Sequence, residues 1–236
     1  MSIAQPKNNK LYWVKDNIIA NEFPGINKAL SEPDGLLAIG GDLSPSRLVN
    51  AYSRGIFPWN NDNQPVLWWS PDPRWVIYPD RIHISRSLKK VLRQKKFKIT
   101  FNKSFESVIR SCAATRVNNE GTWITDQVME SFTQLHNLGF AHSVECWQKN
   151  ELVGGLYGLA LGRIFFGESM FSTESNASKI ALVTLAKILS TCKFELIDCQ
   201  IHTRHLESMG AVPIPRDQFA IILQRSCNPN IKLELP

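Results

Sequence analysis

Apolar and polar positions fall into two regimes along this chain, periodic from about Arg74 onward and irregular before it. Ser85 is placed to cap a helix running to about Lys95, with Leu88, Val91 and Leu92 on one side. Residues 97–102 alternate as a strand. Residues 104–115 predict a helix and 125–138 another, with Val128, Phe132, Leu135 and Leu138 on one face and Gly139 at its end. Strand-like runs follow at 142–148, 152–160 and 163–171. Asn176 is expected to cap a long apolar helix to about Ser190, and 195–200 is a further strand. A short helix at 203–209 and a strand plus helix close the pattern. Upstream the chain is rich in turns, broken by one helix with Ser44 at its cap, Pro45 at its first position and Gly55 after its end. Two prolines between Ser70 and Arg74 divide the regimes, giving a small N-terminal domain at 1–73 and a larger one at 74–236.

The order of elements in the second segment is that of the acetyltransferase-like (GNAT) α/β fold. It implies a mixed sheet with a ligand cleft near its middle strands. A coenzyme-A enzyme of that class needs a glycine-rich loop entering the long helix, where bare N–H groups cradle pyrophosphate. Here the loop at 172–176 reads STESN, with no glycine and one added negative charge, which argues against that cofactor.

Composition refines the reading at one point. The net charge is +6, yet residues 81–105 hold nine Lys or Arg and no acid, so the rest of the chain is slightly acidic. Arg86, Lys89, Lys90, Arg93 and Lys96 fall on one side of a helix, a cationic ridge suited to a polyanion. No apolar run is long enough to span a bilayer, and residues 1–10 carry no apolar leader, so a cytoplasmic location is expected. Five cysteines without CxxC spacing support neither a disulfide framework nor a zinc site.

Chemistry-bearing candidates lie on the later strands. If 163–171 is a strand, Glu168, Met170 and Ser172 share one face. A carboxylate beside Met in a buried strand needs a partner or a function. Asp198 and Gln200 likewise share a face of LIDCQ and suggest a substrate-orienting pair. His202 and His205 have metal-compatible spacing but no further ligand nearby. Trp59, Trp68, Trp69 and Trp75 offer rings on which a base can stack.

Taken together, these stretches resemble the leucyl/phenylalanyl-tRNA–protein transferase family from about Phe23 to Phe219. The resemblance rests on GLLAIGGDLSPSRLVNAYSRGIFPW at 35–59, WWSPDPRWV at 68–76, HISRSLKK at 83–90 and GTWIT at 121–125. It continues through ELVGGLYGLALGRIFFGESMFS at 151–172, NASK at 176–179, LIDCQ at 196–200 and HLESMGAVPIPRDQF at 205–219. It implies an aminoacyltransferase that moves Leu or Phe, and less well Met, from aminoacyl-tRNA to proteins beginning with Lys or Arg, marking them for N-end-rule degradation. It further implies a two-domain structure and no metal or organic cofactor; no membrane partner and a monomer are expected beside it. By position, Trp59 and Trp123 would stack on the terminal adenosine, while Leu156, Met170, Leu182 and Leu185, with Ser172 nearby, would form the side-chain pocket. Leu156 and Leu185 stand where some relatives carry Met and Phe. Asp198 is expected to bind the acceptor ammonium and help remove its proton, with a ribose hydroxyl of the tRNA as an alternative relay. Gln200 is expected to orient the amine or polarise the ester, Glu168 to attract the cationic acceptor, and the ridge to hold tRNA phosphates.

Overall fold

The computed structural model describes residues 11–15, 23–60, 64–117 and 123–235. The N-terminal residues read for a leader, and Gly121 and Thr122 of the GTWIT motif, lie outside them. In chain order the elements are β1 (Tyr12–Val14), β2 (Leu36–Gly40), α1 (Pro45–Ser53), β3 (Phe57–Pro58), β4 (Leu67–Trp69) and β5 (Arg74–Ile77). Then come α2 (Arg86–Gln94), β6 (Lys98–Phe101), α3 (Phe105–Val117), α4 (Asp126–Asn137), β7 (Ala141–Gln148), β8 (Glu151–Leu161) and β9 (Ile164–Ser172). The last are α5 (Ala177–Thr191), β10 (Leu196–Gln200), α6 (Arg204–Ser208), β11 (Val212–Ile214) and α7 (Arg216–Ser226).

Among the described residues the strands form a small sheet in the order β1-β2-β4-β3 and a seven-stranded one in the order β11-β5-β10-β9-β8-β7-β6. The large sheet is mixed, as expected: β9 and β10 run parallel, and its other pairs antiparallel. The small sheet ends with β4 at Trp69 and the large one opens with β5 at Arg74. One apolar cluster nevertheless joins them, with Leu48 and Tyr52 of α1 and Trp68 of β4 packed with Phe132 of α4, Phe166 of β9 and Phe219 of α7. On the opposite face α5 packs against Val144, Leu156 and Leu88.

Caps account for several helix starts. Ser85 Oγ accepts from the Leu88 N–H at 3.2 Å and Thr125 Oγ1 from the Val128 N–H at 3.2 Å. Asn176, expected to cap α5, instead occupies the left-handed region at φ 69° and makes no capping bond. Ser172 does that work, its Oγ accepting from the Ser178 N–H at 3.3 Å. Leu138, expected on the buried face of α4, lies past its last turn and is 49% exposed.

Candidate active site

Two irregularities in neighbouring strands open the site. Across β8 and β9, Tyr157 faces Ser169 while Gly158 faces Gly167, which leaves Glu168 as the extra residue of a bulge. Across β10 and β5, Asp198 faces Val76 and Gln200 faces Trp75, so Cys199 is extra there. A bulge turns the strand and re-aims the side chains that follow. Its effect on β9 corrects the alternation expected from sequence. Phe165 and Met170, of opposite parity, both face α5, while Phe166 and Phe171 face the other way. Glu168 therefore does not simply share a face with Met170 and Ser172. Gln200 is held at φ 64°, a conformation that costs a non-glycine residue about 1–3 kcal/mol and clusters at functional sites.

Between the bulges lies a cavity of about 360 Å³. Trp59, Trp123, Leu156, Glu168, Met170, Leu182, Leu185, Asp198 and Gln200, the site residues expected from sequence apart from Ser172 and the cationic ridge, all line it. Leu156, Met170, Leu182 and Leu185 make an apolar wall where α5 packs on the sheet. Trp123 is half-buried and Trp59 is 41% exposed, its ring leaning on Trp69 at a centroid distance of 5.9 Å. Trp68, by contrast, is a core residue with its Nε1 donating to the Gly40 carbonyl, and Trp75 packs on His202.

The polar floor is a chain of buried groups. Arg74, 1% exposed, donates from Nε to Asp198 Oδ1 at 2.8 Å and from Nη2 to Oδ2 at 2.7 Å. Its guanidinium lies 4.7 Å from the Phe57 ring and 4.8 Å from the Phe219 ring, and its Nη1 donates to the Gly55 carbonyl. Asp198 Oδ1 also accepts from the Gln200 N–H at 2.9 Å. The role expected for Asp198 meets a carboxylate that is wholly buried and already gripped on both oxygens by a guanidinium. In this structure its bond from the Gln200 N–H spans the bulge.

Gln200 then donates from Nε2 to Glu168 Oε1 at 2.8 Å, and the Tyr52 hydroxyl donates to the same oxygen at 2.7 Å. Glu168 Oε2 is buried and has no hydrogen-bond partner among the described residues. Burial pushes the Glu168 carboxyl up to about 8, against the bonds from Tyr52 and Gln200, which favour its charged form. Burial also raises the Tyr52 hydroxyl and, from the cavity wall, the Cys199 thiol, and it lowers His205. Beneath a largely apolar cavity the floor thus holds one carboxylate oxygen that is buried and unsatisfied.

Three expectations find other places. Ser172 is outside the cavity, donating to the Glu174 carbonyl at 2.7 Å while it caps α5. This turn, with the Ala177 N–H bonded to the Glu174 carbonyl, occupies donors that a pyrophosphate would need. Arg86, Lys89, Lys90 and Arg93 are exposed along α2, with Leu88 buried beneath. Lys96 lies beyond the helix, which ends at Gln94 with Lys95 left-handed, and pairs with Glu174 at 2.9 Å, so it does not extend the ridge. His202 faces Glu207 at 3.1 Å, and no group of three metal-binding side chains occurs among the described residues.

Arg74 and Tyr52 are the residues that sequence reasoning missed. The available signal was reciprocal: Arg74 stands in the apolar strand RWVI and Asp198 in LIDCQ, and two opposite charges in buried strands call for each other.

Comparison with known proteins shows the family of the chain. Residues 76–224 match the family described as Leucyl/phenylalanyl-tRNA protein transferase, and residues 41–72 match its N-terminal domain. A Leucyl/phenylalanyl-tRNA--protein transferase of Pseudomonas aeruginosa is 59% identical over 86% of this chain and 90% of its own length. That of Nitrosospira multiformis is 56% identical over 87% of this chain and 89% of its own length. Among solved structures, an aminoglycoside acetyltransferase from an uncultured soil metagenomic sample is similar with a TM-score of 0.37 at 15% identity, over 61% of this chain and 94% of that one.

Proposed function

The chain belongs to the leucyl/phenylalanyl-tRNA protein transferase family, and on that premise we propose that its cavity holds the aminoacyl end of Leu-tRNA or Phe-tRNA, and less well Met-tRNA, beside an acceptor beginning with Lys or Arg. The family reaction, transfer of an aminoacyl group from tRNA to protein, is aminolysis of an ester already activated by the tRNA. It asks the enzyme chiefly for positioning. The observation that carries the finer reading is the division of the cavity into an apolar wall and a polar floor whose Glu168 carboxylate has one buried oxygen without a partner.

The wall of Leu156, Met170, Leu182 and Leu185 suits an unbranched-at-Cβ apolar side chain. Trp59 and Trp123 at the cavity supply faces for the terminal adenosine, and stacking of a base is worth about 1–3 kcal/mol. Arg86, Lys89, Lys90 and Arg93 hold phosphates of the acceptor stem without reading sequence. Glu168 receives the cationic N-terminus, because a buried carboxyl that resists ionising alone ionises readily beside an ammonium. Gln200, aimed by its bulge, orients the amine against the ester carbonyl. Product bearing a new N-terminal Leu or Phe is then marked for N-end-rule degradation in the cytoplasm by an enzyme acting as a monomer. No helix among the described residues is long and apolar enough to cross a membrane.

The test is direct. The protein is incubated with radiolabelled Leu-tRNA and a peptide beginning with Arg, and label is expected in the peptide. The same peptide acetylated at its N-terminus, or beginning with Gly, is expected to stay unlabelled. Equal labelling of the Arg and Gly peptides overturns the acceptor assignment. Labelling that an acetyl-CoA donor supports equally overturns the tRNA assignment.

A further inference from the structure

We propose that Glu168 Oε2 is the group that removes the proton from the acceptor's α-ammonium, with Tyr52 and Gln200 as the positioning residues that leave this oxygen free. The inference deepens the reading above and rests on it. Nucleophilic attack requires a lone pair on nitrogen, yet the acceptor arrives as an ammonium whose ordinary pKa is about 7.7–8.0. A proton acceptor in the cavity lets the ammonium form, the majority below that pKa, react as well.

The carboxylates and other bases there are few. Asp198 is closed to substrate by Arg74 on both oxygens and by the Gln200 N–H. Gln200 is an amide and takes no proton. Glu168 has Oε1 fixed by two donors, the Tyr52 hydroxyl from α1 and Gln200 Nε2 from β10. Two bonds to one oxygen lock the carboxylate plane and leave Oε2 buried without a partner, on a residue that lines the cavity. The bulge on β9 is the backbone device that puts it there.

The charged and titratable groups around Glu168 are Tyr52 from α1, Arg74 from β5 and Asp198 from β10; Tyr157 of β8, Cys199 of β10 and His205 of α6 share the cavity wall. Burial raises Glu168 to about 8, which matches it to the α-amine, the condition under which a general base works best. His205 is moved the other way, below its ordinary value. A limb due to it lies on the acid side of neutrality and is separable by pH.

The step balances. One N–H proton of the α-ammonium passes to Glu168 Oε2, and the freed electron pair attacks the ester carbonyl carbon of the aminoacyl-tRNA. The amide C–N bond forms, the C–O bond to the ribose breaks, and the leaving ribose oxygen takes a second proton from the nitrogen. Glu168 returns its own proton to water.

The experiment is the pH dependence of kcat and kcat/KM for an Arg-initiated peptide at saturating Leu-tRNA, compared between wild type, Glu168→Gln and Tyr52→Phe. For wild type, kcat/KM should be bell-shaped with its maximum near pH 8, since it needs an ionised Glu168 and a protonated acceptor. Glu168→Gln should lose about 100-fold or more in kcat at pH 7, beyond the rise in acceptor KM that follows from losing the charge that receives the N-terminus. Its kcat/KM should then rise to a plateau as the free amine becomes the reactive species, so the deficit shrinks about tenfold per pH unit above 8. Tyr52→Phe removes a bond that favours the Glu168 carboxylate and should shift the acid limb to higher pH. A loss confined to KM, a deficit constant across pH, or an unmoved limb in Tyr52→Phe overturns the proposal. Wild type failing to label the peptide at any pH would instead overturn the donor and acceptor assignment itself.

Discussion

The guanidinium of Arg74 meets the carboxylate of Asp198 in a two-bond fork, both side chains almost wholly out of solvent. Removing one partner of such a pair strands the other as a buried charge, at a cost of about 3–5 kcal/mol. Arg74→Met and Asp198→Asn should each lower the urea midpoint markedly. The double variant Arg74→Met/Asp198→Leu should recover much of that stability without recovering transfer, since Gln200 has lost the acceptor for its N–H. Recovery of transfer in the double variant would show that the pair serves stability alone.

The exposed cations of α2 give an ionic-strength signature. Replacing Arg86, Lys89, Lys90 and Arg93 by Gln should weaken tRNA binding for all tRNA sequences alike. The slope of log affinity against log salt should fall by about 1 for each phosphate that is no longer neutralised. Lys96→Gln should change the slope much less, because that ammonium is paired with Glu174. The measurement is filter binding at several salt concentrations.

Two glycines of the β8–β9 bulge separate backbone geometry from cavity shape. A Cβ on Gly158 would sit 2.1 Å from the Phe166 carbonyl oxygen, which is backbone and cannot swing aside. Gly158→Ala should therefore destabilise the sheet and misplace Glu168, losing both stability and kcat. At Gly167 the nearest atom to a new Cβ is 3.4 Å away, an ordinary contact. Gly167→Ala should fold with near-normal stability, and its effect should appear in KM as the cavity narrows.

These glycines also mark how far the fold and the site can be read from sequence. Periodicity exposes the strands and helices from α2 to α7, because each presents one face to a large core and repeats it. It exposes Glu168, Asp198 and Gln200 as polar residues in apolar strands. The bulge at Glu168 escapes it, since the phase change is visible only in the pairing with Tyr157 and Gly158. The Asp198 role escapes it for a related reason: its partner Arg74 is 124 residues away, and proximity along the chain says nothing of it. Ser172 looks like a site residue from alternation alone, whereas the turn to α5 claims its hydroxyl.

Selectivity is predicted from the apolar wall. Leu185 is fully buried on α5 and lines the cavity. Leu185→Phe adds bulk there, and overpacking should cost about 1–3 kcal/mol of stability. Phe transfer should suffer more than Leu transfer, with the ratio of kcat/KM values shifting about tenfold, within the range of about 1–3 kcal/mol for one small change in an apolar pocket. Competition between Phe-tRNA and Leu-tRNA measures it.

Glu168 also leaves a mark on stability. Its folded pKa of about 8 lies above the 4.5 of an ordinary Glu, so between those values the folded state binds more protons than the unfolded one. Its contribution to stability therefore falls as pH rises from about 4.5 to about 8 and levels off above. Glu168→Gln removes that slope. The Tm difference between variant and wild type should grow in the variant's favour from pH 5 to pH 8, and a difference independent of pH would contradict the raised carboxyl.

Arg74 touches more than its ion pair. Its guanidinium is flanked by Phe57 from the N-terminal segment and Phe219 from the final helix, with the Gly55 carbonyl and Asp198 completing its surroundings. Parts of the chain more than 160 residues apart must thus converge before the loop that aims Gln200 is held in place. An emerging chain that has not yet delivered Phe219 lacks one side of that bracket. The catalyst is in this sense all-or-none: its site is complete only once α7 has docked.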